Sequence, residues 1–141
     1  MSHDITIENI VKRHVNKLNM KKLAQWIVNQ ENISSPIKIT IVLVDDEFIT
    51  ELNKTFLAKK SATDVLSFNL SEPDEAFGEI YISVETAERH AKEYRVSVEN
   101  ELYRLVAHGT YHLLGYDDAS EEQKITMTAL EDKALEYICS T

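Results

Sequence analysis

With 141 residues, 43% hydrophobic and 28% charged, the chain can bury one ordinary hydrophobic core and is expected to form a single domain. It contains no apolar run near the roughly 20 residues that cross a bilayer, no uninterrupted apolar segment behind a basic N-terminus of the secretory kind, and a lone cysteine, Cys139, that excludes an internal disulfide. These features predict a cytoplasmic protein with no membrane and no disulfide-linked partner, and a net charge of -9 excludes coating of nucleic acid through bulk positive charge.

The charge is unevenly spread. Between Glu8 and Glu31 there is no acid, while Lys12, Arg13, Lys17, Lys21 and Lys22 supply five positive charges. Such a segment can present a local phosphate-binding face or be the solvated side of a helix. It lies between two predicted elements. Asp4 to Ile10 alternates Ile5 and Ile7 with polar residues and reads as a first strand; Leu18 to Gln30 reads as a helix burying Leu23, Trp26 and Ile27.

Ile37 to Val44 is β-branched and becomes apolar on both faces, the pattern of a central strand. Asp45 and Asp46 open a helix that carries Phe48, Ile49, Leu52 and Phe56 on one face, and carboxylates at its start complement the helix dipole. Thr63 to Leu70 and Glu79 to Val84 read as an antiparallel strand pair joined through Pro73 and Gly78. A helical period begins at Val84, with Val84, Ala87, Ala91 and Tyr94 on one face and His90 at its edge as a boundary residue. His3 and His14 have no partners at useful spacing.

Ser97 is a good N-cap for a helix running to about Leu114, with Glu99 and Glu101 in its first turn. Ser120-Glu121-Glu122-Gln123 is a capping box before a last helix whose Met127, Leu130, Ala134 and Ile138 face inward. The predicted order β-α-β-α-β-β-α-α-α defines an α+β fold, a mixed four-stranded sheet packed with about five helices.

The chemistry concentrates between His108 and Asp118. Residues four apart in a helix are separated by about 40° around the axis and about 6 Å along it, so His108 and His112 share a face. Arg104 and Glu101 fall on the same stripe, while Val98, Leu102, Leu105, Val106 and Leu113 collect on the other side. Gly109 inside the helix costs about 1 kcal/mol relative to Ala, which close approach of another backbone or of a substrate would offset. Gly115 falls where a C′ glycine ends the helix and turns Tyr116, Asp117 and Asp118 back toward the histidines. Two imidazoles and one carboxylate make a three-ligand metal site with an open position; a bare H-x-x-x-H pair also fits surface or hydrogen-bonded histidines.

The run His108-Gly109-x-x-His112-Leu113-x-Gly115-Tyr116-Asp117 resembles the signature of the YbeY endoribonucleases, H-G-x-x-H-L-x-G-Y-D-H. Leu52-Asn53, Thr63-Asp64-Val65-Leu66-Ser67-Phe68 and Gly78-Glu79-Ile80 match further blocks of that family in the same order. The resemblance implies a zinc-dependent endoribonuclease with one Zn2+ ion per chain. It implies preference for single strands, action in maturation of the small-subunit (16S) rRNA 3′ end and in ribosome quality control, and RNA and the ribosome or its proteins as partners.

The chain departs from the family pattern twice. Asp118 stands where the family has a third histidine, and Leu57 stands where it commonly has an arginine. A carboxylate is an acceptable zinc ligand, although two His and one carboxylate also suit Fe, Mn or Ni. Asp117 competes for the place, and alignment with the motif favours Asp118. Leucine cannot clamp a phosphate as arginine does; Lys59 and Lys60 are weaker substitutes or solvated loop lysines.

The mechanism expected from these residues is metal-assisted cleavage of an RNA phosphodiester. A metal on His108, His112 and Asp118 would lower the pKa of its water to about 7, with Arg104 as phosphate stabiliser or else in an ion pair with Glu101 or Glu99. Lys59, Lys60, Lys12, Arg13, Lys17, Lys21 and Lys22 would hold flanking phosphates. A zincin-type protease needs Glu directly after the first histidine, where Gly109 stands. The alternative from another class is a non-catalytic ribosome-assembly factor with a structural metal site.

Overall fold

The computed structural model describes residues 3–33, 35–57 and 63–140. In chain order the elements are β1 (Asp4–Asn9), α1 (Lys17–Gln30), β2 (Ile37–Val44), α2 (Asp46–Leu57), β3 (Val65–Asn69), β4 (Ala76–Ser83), α3 (Val84–Tyr94), α4 (Val98–Leu113) and α5 (Glu121–Cys139). The strands form one mixed sheet in the order β1-β2-β4-β3. β1, β2 and β4 are parallel, with Ile5 opposite Ile39 and Ile41 opposite Ile80. β3 runs antiparallel to β4 at the edge. Both the α+β class and the element order match the sequence reading.

β2 is apolar on both sides because both sides are covered. Ile37, Ile39, Ile41 and Leu43 join a core with Leu23 and Ile27 of α1, Leu102, Leu105 and Val106 of α4, and Met127, Ala134 and Ile138 of α5. Val42 and Val44 face the opposite way, against Ile49 of α2 and Leu66 of β3. α2 therefore covers one face of the sheet, and α1 and α4 cover the other with α5 packed behind them. This makes α4 a sandwiched helix, flanked by strands on one side and by α1 and α5 on the other, so even its polar stripe meets protein.

Several local expectations are corrected by this packing. Gly78 lies within β4, where an added Cβ would come 2.7 Å from Leu113 of α4, and not in the hairpin connection. The connection is a tight turn bridged between Glu72 and Glu75. On α2 the buried residues are Ile49 and Asn53; Phe48 and Phe56 are exposed, Phe48 stacking on Tyr81 and Phe56 meeting Phe68 edge to face along one side of the sheet. Tyr94 is exposed rather than part of the α3 core stripe. Trp26 is half-buried, stacked 4.8 Å from Tyr137 of α5. On α5 the inward place expected for Leu130 is shared with Glu131, the more deeply buried of the two.

Candidate metal centre

The position of α4 follows from its small residue. An added Cβ on Gly109 would lie 2.6 Å from Ile80 Cγ2 and 3.1 Å from Ser67 Oγ. The helix thus rides directly on β3 and β4, and the Ser67 hydroxyl donates to the Gly109 carbonyl at 3.1 Å. Close approach of other chain elements is the compensation that the mid-helix glycine required. It leaves His108 and His112 beside β3, lining a cleft of about 230 Å3 with Val65, Leu66, Ser67, Asn69 and Leu113. A larger depression of about 410 Å3 runs along α2 beside Asp45, Glu47 and Glu51. Its carboxylates do not converge as metal donors do, so the smaller cleft is the candidate site.

The C-terminus of α4 closes in a Schellman arrangement. Gly115 N–H donates to the His112 carbonyl and Tyr116 N–H to the Tyr111 carbonyl, both at 3.1 Å. Gly115 takes φ +104°, a conformation open to glycine at little cost. The Tyr111 and Tyr116 rings meet edge to face at 5.6 Å, the apolar contact that usually accompanies this cap. The chain reverses there, and Asp118 comes back over the histidines.

Three ligand atoms converge as a result. Asp118 Oδ2 lies 3.5 Å from His108 Nε2, and Asp118 Oδ1 lies 3.4 Å from His112 Nε2. Taking one ligand atom from each residue, the three lie within 4.8 Å of one another, and a donor set of two imidazoles and a carboxylate suits a divalent transition metal. Asp117 is exposed, and its Oδ1 accepts the Asp118 N–H at 2.8 Å. Of the two competing acids, Asp118 is the one beside the imidazoles.

Glu131 of α5 orients the first histidine. Its Oε2 lies 2.7 Å from His108 Nδ1, so Nδ1 donates and the Nε2 lone pair faces Asp118, the usual outer-shell device for a ligating imidazole. Arg104 holds Glu131 in turn, at 3.0 Å, and reaches Asp132 at 2.8 Å. The ion pair of Arg104 is thus with α5 and not with Glu99 or Glu101. Burial alone would lower the His108 pKa, but the hydrogen bond and charge of Glu131, reinforced by Asp118 and Asp64, raise it above its ordinary value. The same negative surroundings favour a bound cation.

The remaining basic candidates lie elsewhere or outside the described residues. Lys12, Lys17, Lys21 and Lys22 are exposed on α1 and the segment before it, and Lys17 and Lys21 flank β1, the sheet edge opposite β3. Arg13 is paired with Glu88 at 3.1 Å. Three strand spacings of roughly 4.8 Å separate that edge from the histidine side of the sheet. Lys59 and Lys60 lie outside the described residues. Leu57 ends α2, about half exposed.

Sequence reasoning overlooked Glu131. Its signal was a carboxylate in the stripe of Met127, Ala134 and Ile138, where an acid is retained only if a partner meets it. A second group went unnoticed too: Asp64, His90 and Glu101 present ligand atoms within 4.8 Å of one another.

An α+β fold with an H-x-x-x-H helix and a returning acid defines a domain that carries a candidate metal-binding group. The family model described as Endoribonuclease YbeY matches residues 6–138. The chain is 33% identical to the Endoribonuclease YbeY of Syntrophomonas wolfei over 94% of its own length and 97% of the relative's. It is 44% identical to that of Heliobacterium modesticaldum over 74% of each chain. It is also similar to a Thermotoga maritima protein solved in solution, with a TM-score of 0.66 and 29% identity over 95% of this chain and 88% of that one. The chain belongs to the YbeY endoribonuclease family.

Proposed function

We propose that this protein is a metal-dependent endoribonuclease that cuts single-stranded RNA, serving 16S rRNA 3′-end maturation and ribosome quality control in the cytoplasm. The observation that carries the reading is the convergence of His108, His112 and Asp118 beside an open cleft, with Glu131 locking one imidazole from behind. Family membership supplies the substrate class.

His108 and His112 through Nε2, and Asp118 through its carboxylate, would hold one zinc ion; two imidazoles and a carboxylate also accept Fe, Mn or Ni. When bound, such an ion supplies Lewis acidity toward a phosphoryl oxygen and makes hydroxide accessible near neutral pH. Glu131 keeps His108 in the ligating tautomer from behind, and Arg104 holds Glu131 in place. Arg104 is therefore a positioning residue; its two carboxylate partners occupy the guanidinium that phosphate would need. Ser67, hydrogen-bonded to the Gly109 carbonyl, sets the depth of the cleft floor. Lys59 and Lys60, with Lys12, Arg13, Lys17, Lys21 and Lys22 as a more distant basic face, are proposed to hold flanking phosphates. Their contribution is salt-sensitive and independent of base identity.

One observation favours a second reading, a non-catalytic assembly factor whose metal serves structure: Leu57 stands where the family commonly has an arginine, and Arg104 is engaged with Glu131 and Asp132. Incubation of a single-stranded RNA with the purified protein, with and without chelator and beside His112→Ala, separates the two. Cleavage lost on both treatments supports the nuclease. Cleavage that survives both refutes metal-dependent catalysis, and absent cleavage with retained ribosome binding favours the assembly factor.

A further inference from the structure

Two turns before His108, on the same stripe of α4, Glu101 is 3% exposed. Among the described residues its only cationic neighbour in ion-pair range is His90 of α3, whose Nδ1 lies 3.7 Å from Glu101 Oε2. The same nitrogen lies 3.7 Å from Oδ2 of Asp64, the residue before β3. Both separations exceed hydrogen-bond length, and both match the ligand-to-ligand spacing of the first centre, 3.4 and 3.5 Å. The residue before β3, α3 and α4 thus bring three potential ligand atoms within 4.8 Å of one another.

The electrostatics ask for a cation. Glu101 is buried beside a second carboxylate, Asp64, and burial holds its pKa above the ordinary value; a cation set between the two carboxylates would relieve that cost. Arg104, one turn along α4, is turned toward α5 and its acids. Asp64 is held at the main chain, since its carbonyl accepts the Ser83 N–H at 2.9 Å, and His90 is steadied by the Tyr94 ring at 5.6 Å. The group is pre-formed rather than a chance meeting of mobile surface side chains.

We infer that Asp64, His90 and Glu101 form a second site for a divalent transition metal, which ties the start of β3 to α3 and α4. One nitrogen and two oxygens suit Zn2+, Mn2+ or Co2+ better than Mg2+ or Ca2+, which take all-oxygen shells. Seven residues along α4 put the two centres about 10 Å apart, too far for the roughly 4 Å pairing of two-metal catalysis. The role is structural: a cross-link between the elements that frame the cleft. The inference rests on these three residues alone and not on the nuclease reading.

The test is equilibrium dialysis of chelator-stripped protein against Zn2+, with bound metal measured by elemental analysis. The wild type should take up two ions, His112→Ala one, His90→Gln one, and the double variant none. In the His112→Ala background Zn2+ should raise Tm, and addition of His90→Gln should abolish that rise. Asp64→Asn, altering a half-buried residue ahead of β3, should match His90→Gln and covers the case in which that variant folds poorly. A wild type whose single bound ion survives His90→Gln, or a His90→Gln protein that still binds two, overturns the inference. The centres fail distinguishably: a single ion lost in His112→Ala but kept in His90→Gln refutes only the second site, and the reverse pattern refutes only the first.

Discussion

Replacing Gly109 by Ala pits two well-measured effects against each other inside α4. Alanine favours a helix interior by about 1 kcal/mol over glycine, so a reading confined to helix propensity expects stabilisation. The contacts point the other way. The new Cβ would start 2.6 Å from Ile80 Cγ2, with Ile80 Cδ1 at 3.3 Å and Ser67 Oγ at 3.1 Å. Ile80 is fully buried and β-branched, with few alternative rotamers. Relief to an ordinary 3.4 Å contact therefore requires about 0.8 Å of relative movement between α4 and β4. Overpacking of this kind costs about 1–3 kcal/mol, and weakening the Ser67 hydroxyl bond to the Gly109 carbonyl adds about 1 kcal/mol. Against the propensity gain, the net is a destabilisation of about 2 kcal/mol, or a fall in Tm of roughly 7 °C for a chain of this size. Urea unfolding followed by circular dichroism measures it. The same displacement shifts His108 and His112 relative to Asp118, which belongs to the following loop, so zinc affinity should fall along with stability. A Gly109→Ala protein as stable as the wild type, or more so, would refute the claim that close packing on the Ile80 and Ser67 side chains explains this glycine.

Glu131→Gln retains shape but removes the charge behind His108, and zinc affinity at the first centre should drop by about 10–100-fold; competition with a chromophoric chelator reads this, and an unchanged affinity would remove Glu131 from the centre. Asp46 provides a pH test. Burial raises its pKa, yet hydrogen bonds from Arg89 at 2.8 Å and from Ser83 and Thr86 at 2.6 Å outweigh that and hold it below the ordinary 3.8. A lowered folded-state pKa means that the stability it contributes is present above 3.8 and is lost as pH falls through the folded value. Asp46→Asn should therefore cost about 1–2 kcal/mol at neutral pH, with its deficit against the wild type shrinking below about pH 4; a deficit independent of pH would show that charge is not what Asp46 contributes.

The elements and the grouping of His108, His112 and Asp118 were readable because they rest on local rules. Ile37–Val44 announced a doubly covered strand through its apolar run, and the structure covers both faces. Ser97 and Ser120 announced helix starts that the structure caps as expected, with Ser97 accepting from Asn100 N–H and Ser120 from Gln123 N–H. His108, His112 and Asp118 lie within eleven consecutive residues, so helical period and a C′ glycine sufficed to bring them together. Phe48 and Phe56 misled because an amphipathic period marks an apolar face without saying how much of it another element covers.

What the sequence alone determined is therefore what short-range geometry determines: strands, helices, their ends, and a candidate ligand group contained in one helix and its cap. Glu131, 23 residues beyond His108, and the meeting of Asp64, His90 and Glu101 were decided only when α4 was sandwiched between the sheet and its neighbouring helices. The physical reason is burial. Each of these carboxylates or imidazoles acquires its partner through packing within a few ångströms, and that partner lies on a different element, at a distance along the chain that no helical or strand period encodes.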